Sequence, residues 1–430
     1  MKPNNIITIV LLLLIVSCNN APKKITNIED YNAYLNVNKD EMLQLIKEDY
    51  KFWEKKLEKE PSQFPYLIKA AASQSSLFSK TGQIELLIDA EKKLVKANNI
   101  TNYNKSSYLR SLAHNYISQH KFKASLELLK KAEVNGDNLE FTQKMLFDVH
   151  LELGNYELAK SYLDKFSNDN NDFDYLIRLS KWSDHRGNLD AAIKYMEKAK
   201  VIAESSNLPS TKQWVYTNIA DYYGHAGRIK DSYNHYLKAL NIDNNDAYAK
   251  KGIAWIVYSY EKNADEALRI LNSITTSYNA PDYHLLKAEI ADFQGDSDLQ
   301  EEQIKRYTSA VQNEFYGDMY NKYNVLLYAE DNTKTAKALK IAQTEIINRP
   351  TPQSYDLLAW TYYKYGDIKE ALDIMEKYVA GKTYEPEVLF HLAEVYKANG
   401  KINEAKNLKS ELLESTFELG PLMAKKIKNI

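Results

Sequence analysis

Residues 355–375 decide the fold. Tyr355, Leu358, Ala359 and Tyr362 stand at i, i+3, i+4 and i+7, Gly366 follows, and Ala371 and Met375 open a second apolar series. The spacing returns as Leu389, Leu392, Ala393, Tyr396, Gly400 and Ala405, with the two glycines 34 positions apart. Side chains so spaced share one face of an α-helix. Each copy therefore reads as two amphipathic helices joined where a glycine can take the left-handed conformation that ends the first. Small residues such as Ala220, Ala359, Ala371 and Ala393 let the paired helices cross closely. A hairpin with an apolar stripe on each helix cannot bury both by itself, so the units must stack.

Working outward, the pattern recurs as Tyr216, Ile219, Ala220, Tyr223, Gly227, Ser232, Tyr236 and Ala239, and earlier as Leu109, Leu112, Ala113, Tyr116, His120, Ser125, Leu129 and Ala132. Laid along the chain it gives units at 60–100, 106–139, 140–172, 173–206, 213–246, 248–280, 281–314, 319–351, 352–385 and 386–419. Gly187 and Gly227 are 40 apart, and the excess falls in the polar stretch around Pro209, which predicts a hinge near 205–212. Helical periodicity over 40–59 (Met42, Leu43, Ile46, Tyr50, Trp53) predicts a capping helix before the array. Leu422, Met423 and Ile427 within 420–430 predict another after 60–419.

These positions match most of the signature of the tetratricopeptide-repeat family, which the chain resembles. The resemblance implies an all-α, right-handed superhelical solenoid of about ten helical hairpins whose concave face, lined by the first helices, takes a protein or peptide. Read in that register, the groove residues are Arg110 and His114; Lys144 and Asp148; Lys181, Asp184 and His185; Trp214, Asp221 and His225; Tyr260; Glu289; Trp360, Tyr363 and Lys364; and Glu394. His185 and His225 occupy the same position in consecutive units and are candidates to lie near one another. The groove lacks the repeated Lys/Arg and Asn set with which chaperone-binding members of the family hold a C-terminal carboxylate.

At the other end, Met1-Lys2 precede eleven residues, Ile6 to Val16, of which only Thr8 is polar. That is too short for a bilayer, which needs roughly 20. The run ends Ile15-Val16-Ser17-Cys18, which resembles the lipobox of bacterial lipoproteins. The resemblance implies a signal peptide over 1–17, a diacylglycerol on the Cys18 thiol, and a tether over 18–39. Asn19 in place of an acidic residue directs such proteins to the outer membrane, and Ala21-Pro22-Lys23-Lys24 lacks the acidic cluster of surface-exported lipoproteins, which favours the periplasmic face. The layout resembles repeat lipoproteins of Bacteroidota.

The rest of the composition narrows the function by exclusion. With 56 basic against 58 acidic residues the chain has no field that would draw nucleic acid. Cys18 is the only cysteine, so no disulfide or thiolate metal site forms within the chain. None of the H-E-x-x-H, G-x-S-x-G, P-loop or G-x-G-x-x-G patterns occurs, and neither an enzyme activity nor a cofactor or metal is expected. Most of the 33 tyrosines, including Tyr116, Tyr223, Tyr258, Tyr362 and Tyr396, fall on packing stripes. The sequence thus points to a lipid-anchored envelope adaptor holding an unidentified protein or peptide. A glycan- or nutrient-binding lipoprotein of the starch-utilisation type is the alternative, opposed by the absence of a large insertion between repeats. Cys18→Ser offers no thiol to the acylating enzyme, so the variant should accumulate as an uncleaved precursor. Detergent phase partitioning and the mass of the mature N-terminus check this, and normal maturation would refute the lipobox.

Overall fold

The computed structural model describes residues 24–36, 40–166 and 172–430, and every regular element among them is helical. Helices α1 (Ile28–Leu35) and α2 (Glu41–Lys59) come first. Five hairpins follow: α3 (Phe64–Thr81) with α4 (Ile84–Ile100), α5 (Ser106–Ser118) with α6 (Phe122–Asn135), α7 (Leu139–Glu152) with α8 (Tyr156–Lys165), α9 (Phe173–His185) with α10 (Leu189–Ser205), and α11 (Pro209–His225) with α12 (Ile229–Ile242). In the next, α13 (Ala247–Trp255) runs on into a π-helical turn, Ile256–Tyr260, before α14 (Ala264–Ile274). Four more are α15 (Asp282–Gln294) with α16 (Ser297–Ala310), α17 (Asn321–Ala329) with α18 (Thr335–Asn348), α19 (Pro352–Tyr365) with α20 (Ile368–Tyr378), and α21 (Pro386–Ala398) with α22 (Ile402–Glu414). Helix α23 (Thr416–Lys428) ends the chain. The fold is an all-α solenoid of ten hairpins.

Local chemistry sets these boundaries. Asp172, Asn188, Asp246, Asp296 and Asp367 accept hydrogen bonds from backbone N–H groups in the first turns of α9, α10, α13, α16 and α20, satisfying donors that have no partner inside a helix. Gly366 closes α19 at φ 99°. Where the turn has no glycine, His120 (φ 60°) and Lys262 (φ 59°) take the left-handed conformation, at a cost of about 1–2 kcal/mol each. Between units the two stripes meet as expected: Ala359, Ala371, Ile374, Met375, Val388 and Leu392 form one buried cluster spanning two hairpins. The turn at residues 206–208, inside the stretch expected to hinge, is bridged by a continuous cluster running from Leu176 through Met196 and Ala203 to Ile219 and Tyr223.

The solenoid curls until it meets itself. The Asn279 N–H donates to the Thr81 carbonyl at 2.7 Å, and a Cβ on Gly82 would lie 2.8 Å from the Asn279 carbonyl oxygen. Gly154 faces Pro350 and Gly187 faces the Tyr384 ring in the same way. Each pair is separated by about 200 residues, roughly six repeats, so one superhelical turn rests on the next. Lys80 pairs with Asp243, Arg349 with Glu152 at 3.6 Å, and Asn313 bonds Glu85 at 2.9 Å along this seam.

The stretch expected as a tether is in part a docked element. Helix α1 packs on α12 and α14, with Tyr31 buried and its hydroxyl donating to Glu266 at 2.7 Å. Glu261 accepts from the Ile25 and Thr26 N–H groups at 2.7 and 2.6 Å and from the Thr26 hydroxyl at 2.9 Å. Cys18 and the leader before it lie outside the described residues.

Ala359 is fully buried at a helix crossing, and Ala359→Glu would place a bulky unpaired charge there. A loss of about 3 kcal/mol or more is expected, visible as a lowered thermal midpoint and new protease cleavage near α19 and α20. A wild-type melt would show that the helix faces are misassigned.

Candidate functional site

The first helices of the hairpins line the inside of the superhelix, and the lumen they enclose has three zones. At the N-terminal end α3, α5 and α7 border an open cavity of about 440 Å³. Ile68, Ala71, Phe141 and Met145 supply apolar surface, Phe141 being 60% exposed, and Arg110 and His114 are the ionisable groups on its wall. The Arg110 guanidinium is steadied by the Asp137 carbonyl at 2.8 Å and the Thr142 hydroxyl at 3.0 Å, which leaves it half-buried at the edge of the cavity. Among the described residues no carboxylate lines this space, although the nearby Asp137 charge acts on the Arg110 guanidinium.

The middle zone is a ladder of ion pairs. Lys144 is buried among Glu140, Asp174 and Asp172, at 2.7, 3.1 and 3.5 Å, which hold its ammonium pKa up against the opposing effect of burial. Arg178 pairs with Asp148 at 2.8 Å, and Lys181 with Glu152 at 3.0 Å. His185 lies tilted against Tyr156 (4.3 Å between centroids) and Trp182 (5.4 Å), and burial lowers its pKa. It is not joined to His225, whose Nδ1 instead lies 4.0 Å from Glu418. Among the described residues no group of three His, Cys, Asp or Glu side chains is placed to hold a metal ion.

The third zone is already filled. Helix α23, expected only to cover the end of the array, turns back across the lumen and packs on α11, the π-helical turn, α15 and α21. Phe417 and Glu418 reach the pocket of Gly224, His225 and Trp255. Beyond the break at Gly420, Ile427 joins Leu389, Phe390, Ala393 and Leu412 in a buried cluster. Trp360 belongs to that cluster, 7% exposed and stacked on His391 at 3.9 Å. It is thus a core side chain and not the groove residue expected from its position. Its neighbours bond sideways: the Tyr363 hydroxyl donates to Glu394 at 3.3 Å and Lys364 pairs with Glu330 at 2.6 Å. Of the remaining groove candidates, Trp214 is 42% exposed beside Phe173, and Tyr260 is half-buried at the end of the π-helical turn. Asp221 accepts from the Tyr236 and Tyr248 hydroxyls, the latter at 2.6 Å.

Repeat spacing alone misses Phe141, Met145, Ser259 and Phe417 as lumen residues. The signal for the last was Gly420-Pro421, a helix breaker inside an apolar run that places Phe417 on a separate arm. Filling the lumen also changes its acids. Burial raises the carboxyl pKa of Asp184, Asp221 and Glu418, and lifts that of Glu289 to about 7. At Glu289 the raising effects of Glu387 and Asp292 add to burial, and the Tyr258 hydroxyl (3.1 Å) and Lys426 oppose it.

No family model and no curated protein matches the chain. Among solved structures it is similar to a human IFIT1 dimer with PPP-AAAA, at 15% identity over 81% of this chain and 72% of that one, with a TM-score of 0.45. A tetratricopeptide repeat protein from Parabacteroides merdae aligns over 58% of this chain and 94% of its own, at 16% identity and a TM-score of 0.39. Pseudomonas aeruginosa PilF aligns over 50% and 96%, at 13% identity and a TM-score of 0.37.

Because the folded chain holds the Glu289 proton more tightly than the unfolded chain does, the stability this group contributes is present below the ordinary carboxylate range. It is lost as pH rises through about 7. Glu289→Gln keeps an acceptor for Tyr258 and cannot ionise. Its melting temperature relative to wild type should therefore climb between about pH 5 and about pH 8. A difference that stays constant across that range would mean that Glu289 titrates like a surface carboxylate.

Proposed function

We propose that this protein is a lipid-anchored adaptor of the bacterial envelope, held on the periplasmic side of the outer membrane, that binds a protein or peptide in the open end of its lumen. The observation that carries the reading is the contrast between the zones. The ion pairs of the middle and α23 at the far end satisfy their own surfaces, while α3, α5 and α7 leave Phe141 exposed and Met145 half-buried beside a steadied guanidinium. Exposed aromatic and arginine side chains in a concavity are the groups that most often dominate binding energy, and water penalises an apolar wall that nothing covers.

The anchoring part of the reading rests on the lipobox and on Glu261. Ile25 and Thr26 are fastened to Glu261, so a lipid on Cys18 would be joined to the array by seven residues with a reach of roughly 25 Å. The membrane would then lie beside α12 and α14, on the outer side of the solenoid, and the lumen would stay free for a partner. Among the described residues no helix is long and apolar enough to cross a bilayer.

A photoreactive amino acid at position 141, inside the open cavity, should crosslink a discrete partner in intact cells. The same group at 134, where Val134 is 88% exposed, should not. Arg110→Ala should weaken the crosslink from 141 without lowering the melting temperature by more than a degree or two. Equal crosslinking from 134 and 141 would remove the support for a groove-bound partner.

A further inference from the structure

We infer that the pocket between α11 and α13 is a recognition site for an aromatic residue that stands four positions before a proline in a helical segment, and that Phe417 is its resident occupant. The inference is independent of what binds at the open end.

The argument starts from Pro421. In an α-helix the carbonyl of residue 417 accepts from the N–H of residue 421, and proline has none. The Phe417 carbonyl is therefore left without an intrahelical partner, and Gly420, at φ 80° and ψ 168°, bends the chain away at the same place. The wall of α13 supplies what is missing: Trp255 Nε1 donates to that carbonyl at 3.1 Å and the Ser259 hydroxyl at 2.6 Å. These two donors stand on either side of the start of the π-helical turn, whose wider winding alters where successive side chains point.

The pocket is also shaped for a ring. A Cβ on Gly224 would come within 2.9 Å of the Phe417 ring, and one on Gly252 would lie 2.2 Å from the Tyr236 ring, so both glycines are needed for the space to exist. Phe417 does not fill it. A cavity of about 140 Å³ remains beside the ring, edged by Tyr236, Ser232 and Asp221. The space opens to solvent past the exposed His225, and Phe417 itself is only half-buried, so the ring sits in an accessible pocket and not in a sealed core. A pocket with paired donors for a freed carbonyl and room beyond a phenyl ring fits an exchangeable ligand. That ligand is an aromatic-x-x-x-Pro segment whose helix is broken before the proline as it is at Gly420, with a tyrosine or tryptophan able to reach further than Phe417.

The probe is a fluorescent synthetic peptide of residues 413–424, added to the full chain. Wild type should bind it weakly, its pocket being taken, and Phe417→Ala should bind it at least tenfold more tightly. A peptide with Pro421→Ala regains the intrahelical hydrogen bond and should bind about tenfold less well. Trp255→Phe with Ser259→Ala, added to the Phe417→Ala chain, should abolish the gain. A folded Phe417→Ala chain that ignores the peptide, or binding indifferent to Pro421, would overturn the inference. Should Phe417→Ala fail to fold, hydrogen exchange of full-length Ser259→Ala decides. Exchange that quickens only over 416–421 supports a detachable occupant, and exchange that quickens through α11 and α13 as well shows the segment to be integral to the core and refutes it.

Discussion

Each hairpin of this chain carries apolar side chains on two faces, and water penalises whichever is left bare. Stacking buries both, but only by adding another hairpin with the same deficit, so the array must be terminated at its ends. Alanines at the crossings bring the helices close on one side, the stack curves, and within about six repeats it touches itself between Thr81 and Asn279. That closure converts the concave face of an open solenoid into an interior. Lys144 and Asp221 stand at positions that an open array would leave in water, and each is instead held by several partners. The raised carboxyl pKa of Glu289 follows from the same enclosure.

The hairpins were legible because their information is local. A glycine or a turn near every 34th residue, with i, i+3, i+4 and i+7 spacing before it, gives an all-α solenoid of about ten hairpins, even where His120 or Lys262 takes the left-handed turn position. What covers a given face is not local information. Spacing places Trp360 next to the core pair Leu358-Ala359 but does not report what lies on it. His391 and the residues around Ile427 then bury it. The same limit applies to Phe417, which meets Trp255 across some 160 residues of chain, and to α1, whose partners on α12 and α14 are more than 200 residues away. Periodicity cannot report such pairings, because nothing in a repeat says which distant segment will lie on it.

The charges of the lumen divide along the same lines. In the middle zone every cation singled out by the repeat has a carboxylate within about 3 Å, an arrangement that adds little net stability once desolvation is counted but fixes which hairpins face one another. At the open end Arg110 bonds only carbonyl and hydroxyl oxygens, burial works against its charged form, and the Asp137 charge acts on it without an ion-pair contact. A guanidinium held by neutral oxygens beside the exposed Phe141 ring is what distinguishes this end chemically. The central lumen, rich in carboxylates, receives instead a segment that ends in Lys425, Lys426 and Lys428.

Both ends of the described chain are fastened at one place. The π-helical turn Ile256–Tyr260 accommodates an extra residue per turn, with Glu261 donating its N–H to the Ile256 carbonyl five positions back. On the inner side of this turn Trp255 and Ser259 hold the Phe417 carbonyl, and immediately after it Glu261 holds the Ile25 and Thr26 N–H groups. An ordinary α-helix through the same residues would rotate Ser259 and Glu261 by about a quarter of a turn relative to Trp255 and shift both attachments. The distortion is therefore not a local defect of α13. It is the geometry with which a single hairpin, near the midpoint of the array, holds both the N-terminal segment and the C-terminal helix.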